Sequence, residues 1–212
     1  PEIIKNNVER VRERIANAAT NAGRKISEIT LVAVSKTKPT NLLELAYENG
    51  LHHFAENYAQ EVAEKSKMLF DKALTWHFIG PIQSNKTKII AANCDWVHSV
   101  DRERVAKRLS DQRSSNQDAL NVCIQVNLAS ELSKAGLNDP ESIMRLAEQI
   151  ELLPRLILRG LMAIPRPTDN MCLQRKQFER VRFLMDSLNS RGLHLNTLSM
   201  GMSADLEAAI LE

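Results

Sequence analysis

Lys36 has the clearest chemistry within reach of any residue in the chain. It follows directly on the apolar, β-branched run Ile29-Thr30-Leu31-Val32-Ala33-Val34-Ser35, which reads as a strand buried on both faces. An amine held at a strand end against apolar neighbours loses part of its preference for the charged form. The neutral amine is the form that attacks an aldehyde to give an imine. The plain alternative is a solvated lysine, which is how Lys38 reads two residues later. Two more polar clusters end the next two expected strands, Phe54-Ala55-Glu56-Asn57-Tyr58 and Gly80-Pro81-Ile82-Gln83-Ser84-Asn85-Lys86. Either alone is weak, since such loops are polar anyway and Ser84 has an ordinary use as a helix N-cap. A fourth cluster, Leu198-Ser199-Met200-Gly201-Met202-Ser203-Ala204-Asp205, leads into a helix start whose free N–H groups and hydroxyls suit a phosphate. Asp205 and Glu207 in the first turn oppose an anion there and serve equally well as helix-dipole partners.

Other chemistries lack their signatures. The chain has no GxGxxG, Walker loop, GxSxG or HExxH, and its seven glycines are scattered. The five histidines, His52, His53, His77, His98 and His194, have no metal-ligand spacing. His77, between Trp76 and Phe78, reads as a polar group satisfied within the sheet wall. Cys94, Cys123 and Cys172 are odd in number and form no CxxC pair, so they read as buried thiols of a reducing, cytoplasmic compartment. With 28 Lys and Arg against 26 Asp and Glu, the net charge of +2 gives no field that would draw nucleic acid or an anionic membrane. Five Phe, two Trp and two Tyr leave few platforms for stacking bases. No apolar run approaches the roughly 18 residues of a membrane span.

Helices and strands alternate strictly around these clusters. Residues 5–22 carry the apolar stripe Val8, Val11, Ile15, Ala18 and Ala22 of an amphipathic helix, with Gly23 as its stop. After the first strand, helices are expected at 42–49, 56–70, 84–92, 102–113, 139–151 and 172–191, with another starting at Ala204. The strands between them are expected at 52–54, 75–79, 96–100, 121–127, 156–163 and 197–200. Asp139-Pro140-Glu141 is a strong helix start, an N-cap followed by Pro in the first turn. No Gly- or Ser-rich linker divides the 212 residues, so a single domain over 1–212 is expected. The repeat of roughly 25 residues favours a (β/α)8 barrel over an open doubly wound sheet, with the first helix as an addition before the barrel. Seven strands are countable, and a barrel one strand short exposes two edges. The eighth strand is therefore expected beyond Glu212.

Five blocks together, in order, resemble the YggS/PROSC family, the pyridoxal phosphate homeostasis proteins. They are Val32-Ala33-Val34-Ser35-Lys36-Thr37-Lys38-Pro39, Phe54-Ala55-Glu56-Asn57-Tyr58-Ala59-Gln60-Glu61, Trp76-His77-Phe78-Ile79-Gly80-Pro81-Ile82-Gln83-Ser84-Asn85-Lys86, Gly160-Leu161-Met162-Ala163-Ile164-Pro165 and Leu198-Ser199-Met200-Gly201-Met202-Ser203. The resemblance implies an α/β TIM barrel like the N-terminal domain of alanine racemase, with pyridoxal 5'-phosphate (PLP) held as an internal aldimine on Lys36. It also implies that Asn57 lies near the cofactor ring and Met162 lines the pocket, while Ser199, Gly201 and Ser203 help to hold the phosphate. Ser133-Lys134-Ala135-Gly136 resembles a family loop that carries another lysine near the mouth. Ala55 stands where the family usually has Gly, and the family's Arg-hydrophobic-Gly-Thr segment, which closes the barrel, is expected past Glu212.

The function implied is that of a monomeric, cytoplasmic carrier or regulator of PLP that serves vitamin B6 homeostasis without turnover and has apo PLP enzymes as recipients. The alternative is an amino-acid racemase using Lys36 as base, but the chain lacks the length for the second, β-rich domain such an enzyme implies. A PLP-free phosphate-binding barrel or a pure interaction protein is the third reading, and it predicts no adduct trapped by borohydride.

Overall fold

The structure, a computed structural model, describes residues 2–128 and 135–212. Its seven strands are β1 (Ala33–Val34), β2 (His53–Glu56), β3 (Thr75–Phe78), β4 (Trp96–Val100), β5 (Leu120–Val126), β6 (Leu156–Ala163) and β7 (Thr197–Ser199). They form one sheet in chain order, with every neighbouring pair parallel. Eight α-helices accompany them. These are α1 (Glu2–Asn21), α2 (Thr40–Glu48), α3 (Ala59–Met68), α4 (Thr87–Asn93), α5 (Glu103–Gln112), α6 (Pro140–Glu151), α7 (Met171–Ser190) and α8 (Leu206–Leu211).

Local chemistry sets several boundaries. Asp139 caps α6 by accepting from the Ser142 N–H at 2.9 Å, and Pro140 opens the helix. Asn170 caps α7 by accepting from the Leu173 N–H at 3.1 Å. Gly23 follows α1 at φ +65°, a left-handed conformation that ends a helix without a Cβ penalty. Gly160 has a packing role: a Cβ there would lie 1.7 Å from the Thr197 carbonyl oxygen, so glycine is what lets β6 and β7 approach.

The first strand is much shorter than its apolar run. Only Ala33 and Val34 enter the ladder, opposite Phe54 and Ala55. Ile29 and Leu31 instead pack with Ile15, Ala18, Ala19 and Ile210, between α1 and α8. The run is apolar because helices cover it, and only its end is a strand. Cys94 and Cys123 are buried as thiols, but Cys172 is exposed on the first turn of α7 rather than buried, because it faces away from the stripe of Gln174, Phe178, Val181 and Leu188.

One sheet face supplies the main core. Phe54, Trp76, Phe78, Val97, Val122, Ile124, Val126 and Leu161 pack against helix residues that include Leu43, Val62, Ile90, Leu109, Ile143, Ile150 and Leu188. The opposite face is polar and curls around on itself. His98 of β4 lies within hydrogen-bond distance of Ser199 of β7, although a flat sheet would hold these strands about 14 Å apart. The sheet is thus a half-barrel with a polar interior, and among the described residues it has seven strands. No helix of the described residues is long and apolar enough to cross a membrane.

Candidate cofactor site

Strand register brings the sequence-predicted residues to one end of the half-barrel. Val34 lies opposite Ala55, and Ala55 opposite His77. Side chains alternate along a strand, so Lys36 and Asn57, each two residues on, continue this interior row at the strand ends. On the far side, Gln125 lies opposite Met162 and Met162 opposite Ser199. Met162 is buried and Ser199 half-buried, while Gly201 and Ser203 follow in the loop to α8. Lys134 lies outside the described residues.

Lys36 itself is exposed, not enclosed by apolar side chains. Its amine has no hydrogen-bond or ion-pair partner among the described residues. What is buried is the support beneath it. Ser35 is buried; its hydroxyl donates to Glu56 Oε1 at 2.6 Å, and its carbonyl accepts from Lys65 Nζ at 2.7 Å. On the other side of Lys36, the Thr37 N–H donates to Glu61 Oε1 at 2.6 Å. Lys65 Nζ closes the cluster, 2.7 Å from Glu56 Oε1 and 3.2 Å from Glu61 Oε1. Thr37 has φ +62°, a conformation that a β-branched residue adopts only under constraint. The turn carrying Lys36 is therefore held from below by bonds to the residues on either side of it.

Burial and hydrogen bonding push the two carboxyls of this cluster in opposite directions. Burial pushes the Glu56 carboxyl above the ordinary range, outweighing the hydrogen bonds from Lys65 and Ser35 that lower it. Partial burial also works against ionisation of Glu61, but hydrogen bonds from Glu56, the Thr37 N–H and Lys65 outweigh it and hold this carboxyl low. Glu56 Oε2 and Glu61 Oε2 are buried and lack a donor when both carboxyls are ionised.

A second polar system crosses the interior. His53 Nδ1 lies 3.0 Å from His77 Nε2, His77 Nδ1 lies 2.8 Å from His98 Nε2, and His98 Nδ1 lies 2.5 Å from Ser199 Oγ. His77 is satisfied within the sheet wall, as its flanking aromatics suggested. Burial, with His98 and His53 adding to it, pushes the His77 pKa down to about 2, and burial pushes that of His98 down to about 4. The rings run in a line rather than converging, and no group of three His, Cys, Asp or Glu side chains among the described residues could hold a metal ion.

The loop after β7 differs from the simple anion site that the sequence suggested. Helix α8 has six residues, and the Met202 N–H is taken by the Asp205 side chain at 2.5 Å. The repulsion expected from Glu207 is answered by Arg14 of α1, whose guanidinium donates to both Glu207 oxygens at 2.6 and 2.8 Å and to the Ser203 carbonyl at 2.8 Å. Gly201 sits at φ +90°, where a Cβ would come within 2.7 Å of the Ala209 Cβ. Across the mouth, Asn57 Oδ1 is buried with no donor. An orphaned acceptor, an unengaged amine and an interior hydroxyl, all at one end of a half-barrel, fit a ligand that carries a carbonyl, a ring and an anion.

Lys65 gave no sequence signal on its own, yet it lies on the buried stripe of α3 with Ala59 and Val62, and a lysine on an apolar stripe was the available clue. The line of histidines was hidden by separations of 24 and 21 residues. Only the strand register aligns them.

The alanine racemase N-terminal domain family matches residues 4–212. A pyridoxal phosphate homeostasis protein of Pseudomonas aeruginosa is 53% identical over 209 residues, covering 99% of this chain and 89% of the relative. That of Escherichia coli K12 is 45% identical over 210 residues, covering 98% of this chain and 89% of the relative. Among solved structures, PipY of Synechococcus elongatus PCC7942 with PLP bound is 34% identical with a TM-score of 0.80, covering 92% of each chain. An alanine racemase of Clostridium difficile has a TM-score of 0.70 at 16% identity, covering 92% of this chain and 53% of that one, a likeness of fold alone.

Proposed function

The chain belongs to the pyridoxal phosphate homeostasis protein family, built on the alanine racemase N-terminal domain fold, and from that membership we propose that it binds PLP at the mouth of its half-barrel through Lys36. PLP supplies an aldehyde that condenses reversibly with an amine, together with a phosphate that anchors it. In this reading Lys36 provides the amine, Asn57 lies near the ring, Met162 lines the pocket, and Ser199, Gly201 and Ser203 hold the phosphate. Residues 1–212 act as one PLP-binding domain, and the first helix, α1, is an addition that steadies the phosphate loop through Arg14.

One observation carries the reading. The amine of Lys36 is unengaged at the end of β1 while the residues on either side of it are fixed by the buried Glu56–Lys65–Glu61 cluster. A free amine on a fixed turn is a capture group, and its exposure leaves a bound aldehyde accessible for release. Carriage and regulation therefore suit the site better than turnover, which needs an acid and a base placed on chosen faces of the substrate. The role is that of a monomeric carrier in vitamin B6 homeostasis, with apo PLP enzymes as recipients. Its place is the cytoplasm, where the unpaired thiols of Cys94 and Cys123 stay reduced.

The test is borohydride reduction of the protein with PLP, followed by peptide mapping, on the wild-type chain and on Lys36→Ala. The expected result is one adduct, on Lys36, that is lost in the variant, together with no racemisation of amino acids. An adduct spread over many lysines, or none, contradicts the reading; racemisation abolished by Lys36→Ala establishes the enzyme instead.

A further inference from the structure

The line His53–His77–His98–Ser199 is constrained more tightly than its distances alone convey. Each of its three links joins two ring nitrogens, or a ring nitrogen and a hydroxyl, so each needs one proton. A neutral imidazole carries one N–H and one bare nitrogen. With all three rings neutral, the choice made at one ring fixes the others. Either every ring is protonated on Nδ1, so that His53 donates to His77, His77 to His98 and His98 to Ser199, or every ring is protonated on Nε2 and the direction reverses, with Ser199 donating to His98.

Burial disfavours the charged form of all three rings. Trp96 stacks on His77 at 5.8 Å and 18°, and the Arg159 guanidinium lies over the other ring system of that stack, 5.9 Å from the Trp96 centroid. His77 and His98 are buried. At the outer end, His53 feels burial first, then His52 against its charged form, with Asp95 in favour of it. Asp95 is itself engaged, accepting from the Trp76 N–H at 2.8 Å.

We propose that this line sets the direction of the Ser199 hydroxyl: a phosphate seated at the loop after β7 takes the Ser199 proton as its hydrogen bond and thereby draws all three rings into the Nδ1–H state. His98, His77 and His53 are then positioning residues for a phosphate ester, acting through Ser199 without touching the ligand. The inference rests on the reading of Ser199 as a phosphate-holding residue. It adds a specificity, because a fully ionised phosphate accepts and cannot donate, so the Nδ1–H line matches PLP and gives pyridoxal nothing. It also makes the His53 end, where Nε2 is bare in one state and protonated in the other, a remote reporter of the phosphate end.

The test is long-range proton–nitrogen NMR on 15N-histidine protein at neutral pH, with PLP, inorganic phosphate and pyridoxal as separate probes. Amide shifts of Ser199 and Gly201 serve as an independent record of binding. The expected result is that PLP and phosphate each give Nδ1–H on all three rings, while pyridoxal leaves the tautomers of the free protein unchanged. Shifted amides with any of the three rings protonated on Nε2 in the PLP-bound protein would overturn the inference and leave the phosphate reading standing. No amide shift at Ser199 or Gly201 with PLP overturns both. His77→Phe keeps the ring shape but cuts the line; it is expected to weaken PLP binding about tenfold and to leave His98 in mixed tautomers in the ligand-free protein. His98→Asn, whose amide reaches roughly the Nδ1 position, is expected to retain most of the wild-type affinity. A His77→Phe protein that binds PLP as tightly as the wild type would mean that the line only packs, which contradicts the inference.

Discussion

Two buried polar systems support the two sides of one barrel mouth, and they use opposite physics. Under Lys36, a buried ammonium and two carboxyls grip backbone groups on either side of the lysine. Under Ser199, three imidazoles without formal charge run in series to a single hydroxyl. The charged cluster fixes a position, because removing its ammonium strands the carboxyls that face it. The neutral line fixes a direction, because its protons must all point the same way. A ligand with an aldehyde at one end and a phosphate at the other needs both services, a held nucleophile and an oriented donor.

The sharpest break of this contrast is Lys65→Met, which strands the carboxylates under the turn. It is expected to lower stability by about 3–5 kcal/mol in urea unfolding and to reduce borohydride-trapped PLP on Lys36. Adding Glu61→Gln, which removes one of the acidic groups facing Lys65, is expected to recover part of the loss; an unchanged stability in Lys65→Met would show that the cluster holds nothing.

Acid separates the two systems next. His77 and His98 take up protons in the unfolded chain below the ordinary histidine value of 6.5 but resist them when folded, down to about 2 and about 4. The unfolded state then binds more protons, so their contribution to stability falls as pH drops from 6.5, by up to about 2.7 kcal/mol per pH unit for the pair. Glu56 works with the opposite sign, since its raised folded value means that stability is lost as pH rises from 4.5 through that value. Urea titrations across this range, with His77→Phe roughly halving the acid slope, check the assignment. At neutral pH the same variant leaves one nitrogen each of His53 and His98 without its partner and is expected to cost about 1–3 kcal/mol. The smallest effect belongs to Arg14→Ala. Its ion pair with Glu207 is about one-third exposed, so the loss is expected to be under about 1 kcal/mol and to shrink with salt, while PLP binding weakens through the loosened Ser203 loop.

Much of the half-barrel was legible because its strands end in recognisable chemistry. The spans 96–100 and 156–163, and the capped start at Asp139, agree with β4, β6 and α6. The first strand misled because an apolar run cannot say whether a sheet or a pair of helices covers it, and here α1 and α8 cover most of it. The strand-end positions of the candidate site residues were legible in the sequence. Their supports were not, because Lys65, His53 and His98 acquire meaning only through register across strands and through burial. The loop after β7 was legible as polar, but the bond Asp205 accepts from the Met202 N–H depends on the fold of the loop, and the brace by Arg14 on a contact 193 residues apart.

The central claim is that Lys36 and Ser199 hold the two ends of one PLP molecule. A crystal structure of the protein grown with PLP tests it most directly. The expected result is electron density continuous with Lys36 Nζ and a phosphate oxygen within hydrogen-bond distance of Ser199 Oγ. Density joined to another lysine, or a phosphate held away from the loop after β7, would contradict it.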